Sequence, residues 1–165
     1  MNSDAIKLLL ERYVPCGFTV GVYPRDRVPE RPARRSCLVV NSDPAGEPGE
    51  HWVAIYVLER IEFFDSFGMH PSAYSLNIPS ALLVLKSPIQ SLNSDCCGEH
   101  CIIFLSRRAH GVSITSIRSS YSRNHPANDI FARTRIKKLA ARFKNAKPSE
   151  PCECLQCCKR RCLCK

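Results

Sequence analysis

Residues 51–68 have the sequence HWVAIYVLERIEFFDSFG, and this stretch decides how the middle of the chain folds. Two apolar runs, at 51–57 and 61–64, are separated by a three-residue connection. Short apolar runs on either side of a turn are typical of buried strands that form a hairpin. Because the strands of a hairpin are antiparallel, we expect His51 and Asp65, which bracket the two strands, to lie close together.

Outside the hairpin, the pattern of apolar and turn-forming residues predicts a mixed α+β domain. We expect strands at 37–41 and 81–86, an extended loop at 24–35, and helices at 4–13, 97–108 and 129–144. These elements predict a central mixed sheet flanked by helices, built from residues 1–146. Residues 147–165 (KPSEPCECLQCCKRRCLCK) differ in composition and are predicted to form a separate basic, cysteine-rich tail.

Helix caps and inward faces can also be predicted. Ser3 or Asp4 would cap the first helix, and Asn93, Ser94 or Asp95 would cap the second. In the last helix, the apolar side chains that we expect to point inward are Ile130, Ile136, Leu139, Ala140 and Phe143. Its outward face would carry five basic residues, which are Arg133, Arg135, Lys137, Lys138 and Arg142.

Composition narrows the class of protein. The chain has 165 residues, of which 44% are hydrophobic, which is enough for one domain with a sizeable core. The longest apolar run, WVAIYVL at 52–58, has seven residues, far short of the roughly 20 that a membrane-spanning helix needs. Its N-terminus has no uninterrupted apolar segment of the kind found in secretory signals. We therefore expect a soluble intracellular chain with no membrane partner.

The charge is concentrated in the second part of the chain. Residues 1–100 carry 9 Lys/Arg and 12 Asp/Glu, whereas residues 101–165 carry 15 and 3, so that net charges of −3 and +12 give the total of +9. A basic region of this strength predicts a polyanion partner such as DNA, held by its phosphates. The alternative is a basic face that is exposed to solvent and binds no partner.

The cysteines are also unevenly distributed, with five in the body and six in the tail. Without a secretory signal, catalysis, metal binding or redox chemistry is a better explanation than disulfides. The tail thiols could hold Zn²⁺, or the tail could be oxidisable, lipid-modified or disulfide-forming. The candidate zinc ligands are Cys152, Cys154, Cys157, Cys158, Cys162 and Cys164.

Residues suited to thiol catalysis occur in order along the chain. Cys97 would lie at a helix N-terminus, where the partial positive charge favours an anion. His51 could remove the thiol proton, and Asp65 could orient the imidazole. Gln90, seven residues before Cys97, could donate to an oxyanion together with the Cys97 backbone N–H.

Neighbouring residues would support this site. Gly98 leaves room for the substrate backbone, and Trp52 is expected to pack in the core and shape the cleft around His51. Asp95 has two possible roles, as a helix cap or in holding the oxyanion loop. Cys96 is the alternative nucleophile, but the glycine that follows Cys97 favours Cys97.

These motifs resemble the adenovirus endopeptidase (adenain) family of cysteine proteases. The matching residues are His51-Trp52, Asp65 within FDSFG, and the series Gln90, Asn93, Ser94, Cys97, Gly98 and Cys101, with a further similarity at 16–23 (CGFTVGVY). SUMO-deconjugating proteases share the order of residues, but their spacing from Gln to Cys is usually six, so the spacing here favours adenain. Related enzymes also occur in virus-like DNA transposons of the Maverick/Polinton type and in small DNA viruses.

The resemblance implies an adenain-like fold with Cys97 as nucleophile, His51 as base, Asp65 as the orienting acid and Gln90 in the oxyanion hole. It further implies cleavage of capsid or core precursor proteins at Gly-containing sites, stimulation by DNA, and a location in the host nucleus or the virion. No cofactor would be required for the chemistry. Because no cysteine lies between Cys37 and Cys96, an activator peptide would not be disulfide-linked.

A monomeric cysteine endopeptidase is therefore the function that the sequence predicts. Two alternatives remain open. One is a deconjugase for ubiquitin-like proteins, and the other is an inactive DNA-binding or virion-structural protein that keeps the fold.

Overall fold

The computed structural model describes residues 1–78 and 80–144, without the side chains of residues 142–144. Helices α1 to α4 span Ser3–Tyr13, Cys97–Ala109, Ile114–Arg118 and His125–Lys144. Strands β1 to β5 span Thr19–Pro24, Ser36–Asn41, Trp52–Val57, Ile61–Phe64 and Leu82–Leu83. Short 3₁₀ turns lie at Arg25–Arg27 and Pro71–Tyr74.

The strands form one mixed sheet in the order β1-β2-β3-β4-β5. Strands β1 and β2 are parallel, as are β4 and β5, whereas β3 is antiparallel to both β2 and β4. The fold class is therefore α+β with a central mixed sheet flanked by helices, as the sequence predicts.

Two apolar layers cover the two faces of the sheet. On one face, Ile6 of α1, Ile102 of α2 and Ile136 of α4 belong to the same core as the sheet residues Val39 and Tyr56. The second core contains sheet residues from β2, β3 and β4 and Tyr23 of β1. Side chains from the connecting segments complete it, which are Val28, Tyr74, Leu76, Ile78 and Ala81. The helices are therefore packed on one side, and this places α2 directly against β3.

The C-terminal end of α2 is anchored by a buried ion pair. Arg108 donates from Nε and Nη2 to the two carboxylate oxygens of Glu62, both at 2.7 Å. Glu62 lies on β4 and its side chain is 2% exposed. A bidentate pair of this kind has a defined geometry, so it helps to set the position of α2 relative to the hairpin.

Most predicted elements are confirmed, but several differ from expectation. Strand β1 at 19–24 and helix α3 at 114–118 were not predicted, and the predicted strand at 81–86 is reduced to the two residues of β5. Its partner β4 ends at Phe64, because Asp65 begins a turn in which the Gly68 N–H donates to the Asp65 carbonyl. The predicted loop at 24–35 contains one short 3₁₀ turn.

The predicted helix caps are wrong. Asn2 caps α1, and its side-chain oxygen accepts a hydrogen bond from the Ala5 N–H at 2.9 Å. Helix α2 begins after Cys96, which makes no side-chain capping bond. Neither Ser3 nor Asp4 is the cap, since both lie inside α1.

Helix α4 begins four residues earlier than predicted, at His125. Pro126 is tolerated there because the first turn of a helix has no intrahelical partner for its N–H groups. Because the helix starts earlier, its first buried residues are Asn128 and Asp129, which are polar. Ile130 is 67% exposed, so its predicted inward position is wrong.

Among the described helices, none has the length and apolar character that crossing a bilayer requires.

Candidate active site

The hairpin brings His51 and Asp65 together. His51 immediately precedes β3 and Asp65 immediately follows β4, and the register pairs Ala54 with Phe64. His51 Nε2 lies 2.7 Å from Asp65 Oδ1. Both residues are buried, at 7% and 2% exposure. The proximity that the hairpin predicted is therefore confirmed.

Three further donors hold the Asp65 carboxylate. The N–H groups of Phe67 and Met69 donate to it at 3.0 and 2.8 Å, and the Tyr74 hydroxyl donates at 2.9 Å. Burial opposes the ionised carboxylate, but the hydrogen bond to His51 and the backbone N–H groups outweigh it and lower the pKa of Asp65. Asp65 is therefore a fixed negative charge facing the imidazole.

Cys97 is the first residue of α2 and lies against the other side of the imidazole. The side chains of Asp65 and Cys97 both interact with the His51 imidazole, and both raise its pKa. Cys97 is 6% exposed, so only a small part of its surface is open to solvent. The thiol, the imidazole and the carboxylate thus lie in the spatial order that proton transfer from the thiol requires.

The environment of His51 favours its protonated form. Burial opposes the charge, but the hydrogen bonds to Asp65 and Cys97 and the charge of Asp65 outweigh burial and raise the pKa of His51 to about 9. Phe67 stacks on the imidazole ring at 4.7 Å between centroids, and this contact restricts the orientation of the ring. An imidazolium at neutral pH is the form that protonates a leaving amine.

This pKa predicts the alkaline limit of any activity that uses His51. The imidazolium is fully protonated below the ordinary histidine pKa of about 6.5 and loses its proton as the pH rises through about 9. We expect kcat/KM for a Gly-Gly peptide substrate to fall as the pH passes about 9. In Asp65→Asn, the negative charge is lost, so the fall should move toward lower pH.

The pH profiles of wild type, Asp65→Asn and His110→Gln would test this prediction. His110 is exposed and bonded only locally, to the Ser106 carbonyl, so its replacement should leave the alkaline limb unchanged. An alkaline limb at the same pH in wild type and Asp65→Asn would contradict the assignment.

Gln90 is buried in the segment that leads to Cys97. Its Oε1 accepts from the Ser66 hydroxyl at 2.7 Å, and its Nε2 donates to the Ser94 carbonyl at 2.7 Å. Because the Ser94 carbonyl can only accept, the bond to it fixes which end of the amide is the donor. Because an amide nitrogen carries two hydrogens, the bond to Ser94 leaves one for another acceptor.

Trp52 and Gly98 lie side by side next to this site. A Cβ at Gly98 would lie 3.4–3.6 Å from atoms of Ile6, Met1 and Trp52, which is ordinary van der Waals contact. Trp52 donates from its indole nitrogen to the Met1 carbonyl at 3.2 Å. Trp52 therefore packs between α1 and α2, and the N-terminus of the described chain borders the site.

Asp95 does not cap α2. Its side chain is 86% exposed and forms an ion pair with Arg133 of α4. Of the two roles predicted for this residue, capping is therefore wrong. The ion pair connects the segment before Cys97 to α4.

Cys96 is a poor candidate for the nucleophile. It is fully buried, and its sulfur donates to Asp129 Oδ1 rather than facing His51. Burial is the largest of several effects that raise its pKa to about 12. The structure thus favours Cys97 over its neighbour, because Cys97 acts on the pKa of His51 whereas the Cys96 sulfur is bonded to Asp129.

The predicted DNA-binding residues lie on the exposed face of α4. Arg133, Arg135, Lys137 and Lys138 are all exposed, whereas the side chain of Arg142 lies outside the described part of the chain. The six predicted zinc ligands, which are Cys152, Cys154, Cys157, Cys158, Cys162 and Cys164, also lie outside the described residues.

Several residues of the site were missed from the sequence. Tyr74 bonds to Asp65, Phe67 stacks on His51 and Ser66 orients Gln90. Phe67 and Ser66 lie within the FDSFG motif and could have been proposed from it. Tyr74 had no local signal, because the 3₁₀ turn that presents it follows the motif by several residues.

Comparison with known proteins adds no family assignment. No protein-family model matches the chain, and no curated protein matches it. The function of the protein is therefore inferred from the geometry of the site and from the motifs in the sequence.

Proposed function

We propose that this chain is a cysteine endopeptidase that works by acyl transfer through a Cys97–His51–Asp65 triad. The observation that carries the proposal is the imidazole of His51, held between the Asp65 carboxylate and the Cys97 thiol. Four different segments of the chain contribute to this arrangement and to its support. A single buried histidine with one polar partner would not carry the proposal.

In the first half of the reaction, His51 holds the proton that came from the Cys97 thiol, and the sulfur of this thiolate–imidazolium pair attacks the scissile carbonyl carbon. The carbonyl oxygen becomes an oxyanion, and the Cys97 backbone N–H and the remaining Gln90 N–H are the donors proposed to stabilise it. When the carbon–nitrogen bond breaks, the His51 imidazolium gives its proton to the leaving amine. The product of this half is a thioester on Cys97.

In the second half, His51 removes a proton from water, and the oxygen of that water attacks the thioester carbon. The carbon–sulfur bond then breaks, the carboxylic acid product leaves, and the sulfur recovers the proton from His51. Asp65 stays ionised throughout and stabilises the imidazolium by its charge. The reaction needs no oxidant or other co-reactant besides water.

The low exposure of the catalytic pair favours substrates with glycine near the scissile bond. Cys97 and His51 are only 6% and 7% exposed, and a substrate without bulky side chains beside the reacting carbonyl would reach them most easily. This agrees with the Gly-containing sites in viral or virus-like precursor proteins that the resemblance to adenain implies. A deconjugase for ubiquitin-like proteins, which act through a diglycine end, fits the same opening and remains the second candidate within enzymes.

DNA is the partner proposed for the exposed face of α4. Arg135, Lys137 and Lys138 are exposed within about one turn of the helix, and basic residues close together suit a phosphate backbone without sequence preference. Stimulation by DNA, and a location in the host nucleus or the virion, are part of the same proposal. An inactive protein that only binds DNA is the rival from another class.

The test is covalent labelling of the reduced protein by a Gly-Gly vinyl sulfone, with and without duplex DNA, at two salt concentrations. We expect one labelled thiol, which peptide mapping assigns to Cys97, with labelling increased by DNA at low salt. Cleavage of Gly-containing precursor peptides would favour the endopeptidase, and release of ubiquitin-like proteins would favour the deconjugase. Salt-sensitive DNA binding with labelling no higher than in denatured protein would leave only the DNA-binding function.

A further inference from the structure

A second cluster of Cys, His and Asp lies beside the catalytic triad and has no part in the proposed reaction. Cys96 Sγ is 3.1 Å from Asp129 Oδ1, and His100 Nε2 is 3.2 Å from the same oxygen. The three potential ligand atoms all lie within 4.8 Å of one another, and all three residues are buried. Exposed clusters of acidic groups are common on protein surfaces, but this one is inside the protein.

The local structure explains how the cluster forms. Cys96 directly precedes α2 and His100 lies one turn further along, so both side chains lie on the same side of the helix. Asp129 enters from the first turns of α4, which packs against α2. The Ser94 hydroxyl is 2.9 Å from Cys96 Sγ and adds a fourth potential ligand.

The charge of Asp129 is the first argument for a cation. Buried carboxylates are normally paired with a positive group or bound to a metal. Glu62 has Arg108 and Asp65 has His51. Within the described residues, the only group that pairs with Asp129 in this way is the imidazole of His100, and no Lys or Arg nitrogen lies within 4.0 Å.

Several polar groups around the cluster lack hydrogen-bond partners, and this also favours a bound ligand. His100 is fully buried, yet its Nδ1 has no hydrogen-bond partner among the described residues. Among the described residues, the buried hydroxyls of Ser91 and Tyr121 also have no hydrogen-bond partner. The Tyr121 ring centre is 5.7 Å from that of His100. Unpaired buried polar atoms are rare, and a bound water is a common reason for them. A metal bound through His100 Nε2 would leave Nδ1 to such a water, since the second ring nitrogen of a metal-bound histidine donates to an outer partner.

The spacing of the ligand atoms suits a tetrahedral metal. Zinc binds sulfur at about 2.3 Å and nitrogen or oxygen at about 2.0–2.2 Å, which places neighbouring ligands about 3.3–3.6 Å apart. The separations of 3.1 and 3.2 Å differ from these values by a few tenths of an ångström. Thiolate and imidazole are also the ligands that Zn²⁺ prefers.

We propose that Cys96, His100 and Asp129 form a site for a divalent transition-metal ion of the Zn²⁺ type, with the Ser94 hydroxyl or water as the fourth ligand. On binding, the Cys96 thiol gives its proton to solvent and the sulfur bonds to the metal as a thiolate. The metal would join the start of α2 to α4, one residue away from Cys97. Its role is structural, since its ligands connect the start of α2 to α4 and none of them belongs to the proposed triad.

The experiment uses the full chain with serine in place of Cys97 and of the six cysteines in residues 147–165. These replacements remove the other thiols that are predicted to be reactive or metal-binding. The probe is Co²⁺ alone, followed by displacement with Zn²⁺. Because the protein lacks Cys97, the result does not depend on whether the protease proposal is correct.

We expect one equivalent of Co²⁺ to bind, with the visible absorption of a tetrahedral site and a thiolate-to-cobalt charge-transfer band. Cys96→Ser should abolish the charge-transfer band, and Asp129→Asn should weaken binding at least about 10-fold. Cys101→Ala is the matched control, because Cys101 is a buried thiol of the same helix that donates to the Trp52 carbonyl instead. The control should bind Co²⁺ as the parent does.

Absence of the charge-transfer band from the folded parent protein would overturn the proposal, and the cluster would then be a hydrogen-bonded network only. A band that survives in Cys96→Ser would overturn it too. If Cys96→Ser does not fold, X-ray absorption spectroscopy of the zinc-loaded parent protein identifies the atoms bound to the metal and so tests the site. One sulfur together with nitrogen and oxygen ligands supports the site, and a shell without sulfur contradicts it.

Discussion

Replacement of Cys97 by serine is expected to reduce kcat/KM for a Gly-Gly peptide by about 10⁴-fold or more. The serine hydroxyl is much less acidic than a thiol, and a site arranged around the larger sulfur atom places the oxygen poorly for attack. Labelling by the vinyl sulfone should also disappear. Both measurements are made on protein whose fold has been checked by circular dichroism.

Cys96→Ser is the control for this prediction, because it removes the adjacent thiol but leaves the interaction between Cys97 and His51. Cys96 bonds to Asp129 and Ser94 on the far side of the helix start. We expect labelling at Cys97 to survive in this variant. Loss of labelling in a folded Cys96→Ser together with normal labelling in Cys97→Ser would reverse the assignment of the nucleophile.

The second large effect is expected for His51→Ala, which should lower kcat/KM by about 10⁴-fold or more at neutral pH. Without the imidazole, no described side chain is placed to accept the thiol proton, and the leaving amine has no acid. Asp65 would also remain buried with its principal partner removed, since the Nε2–Oδ1 contact of 2.7 Å is lost. Thermal unfolding should therefore be measured beside the steady-state kinetics.

A matched control is His110→Ala, because His110 is exposed and bonds only to the Ser106 carbonyl. Its kinetics should stay within a factor of about two of wild type, as expected for a surface change. A His51→Ala protein that is folded and keeps kcat/KM within 10-fold of wild type would show that the triad is not the catalytic group. The exposed α4 face would then carry the more promising function.

The hairpin shows how much of the site could be predicted from the sequence. Strand pairing follows from two apolar runs and a short connection, and antiparallel pairing alone brings His51 and Asp65 together. The position of Cys97 at the start of α2 also followed from local signals, because turn-forming residues precede an apolar helical pattern. These predictions succeeded because each depends on contacts between residues that are near in sequence.

Helix α4 shows why other parts could not be predicted. The apolar pattern placed Ile130 inward, but the buried stripe begins with Asn128 and Asp129, and Ile130 is 67% exposed. Burial of those polar residues is compensated by partners far away in sequence. Asn128 donates to the Ile89 carbonyl at 2.9 Å, and Asp129 accepts from the Ser91 N–H at 3.1 Å.

The sequence by itself determined the fold class, the hairpin and the order of the candidate nucleophile, base and acid. Only the tertiary structure decided between Cys96 and Cys97, gave Asp95 its partner Arg133, and placed Tyr74 on Asp65. It also assembled Cys96, His100 and Asp129 into one buried cluster. Periodicity reports which face of an element is apolar, whereas the partner of a buried polar group depends on how distant elements pack together.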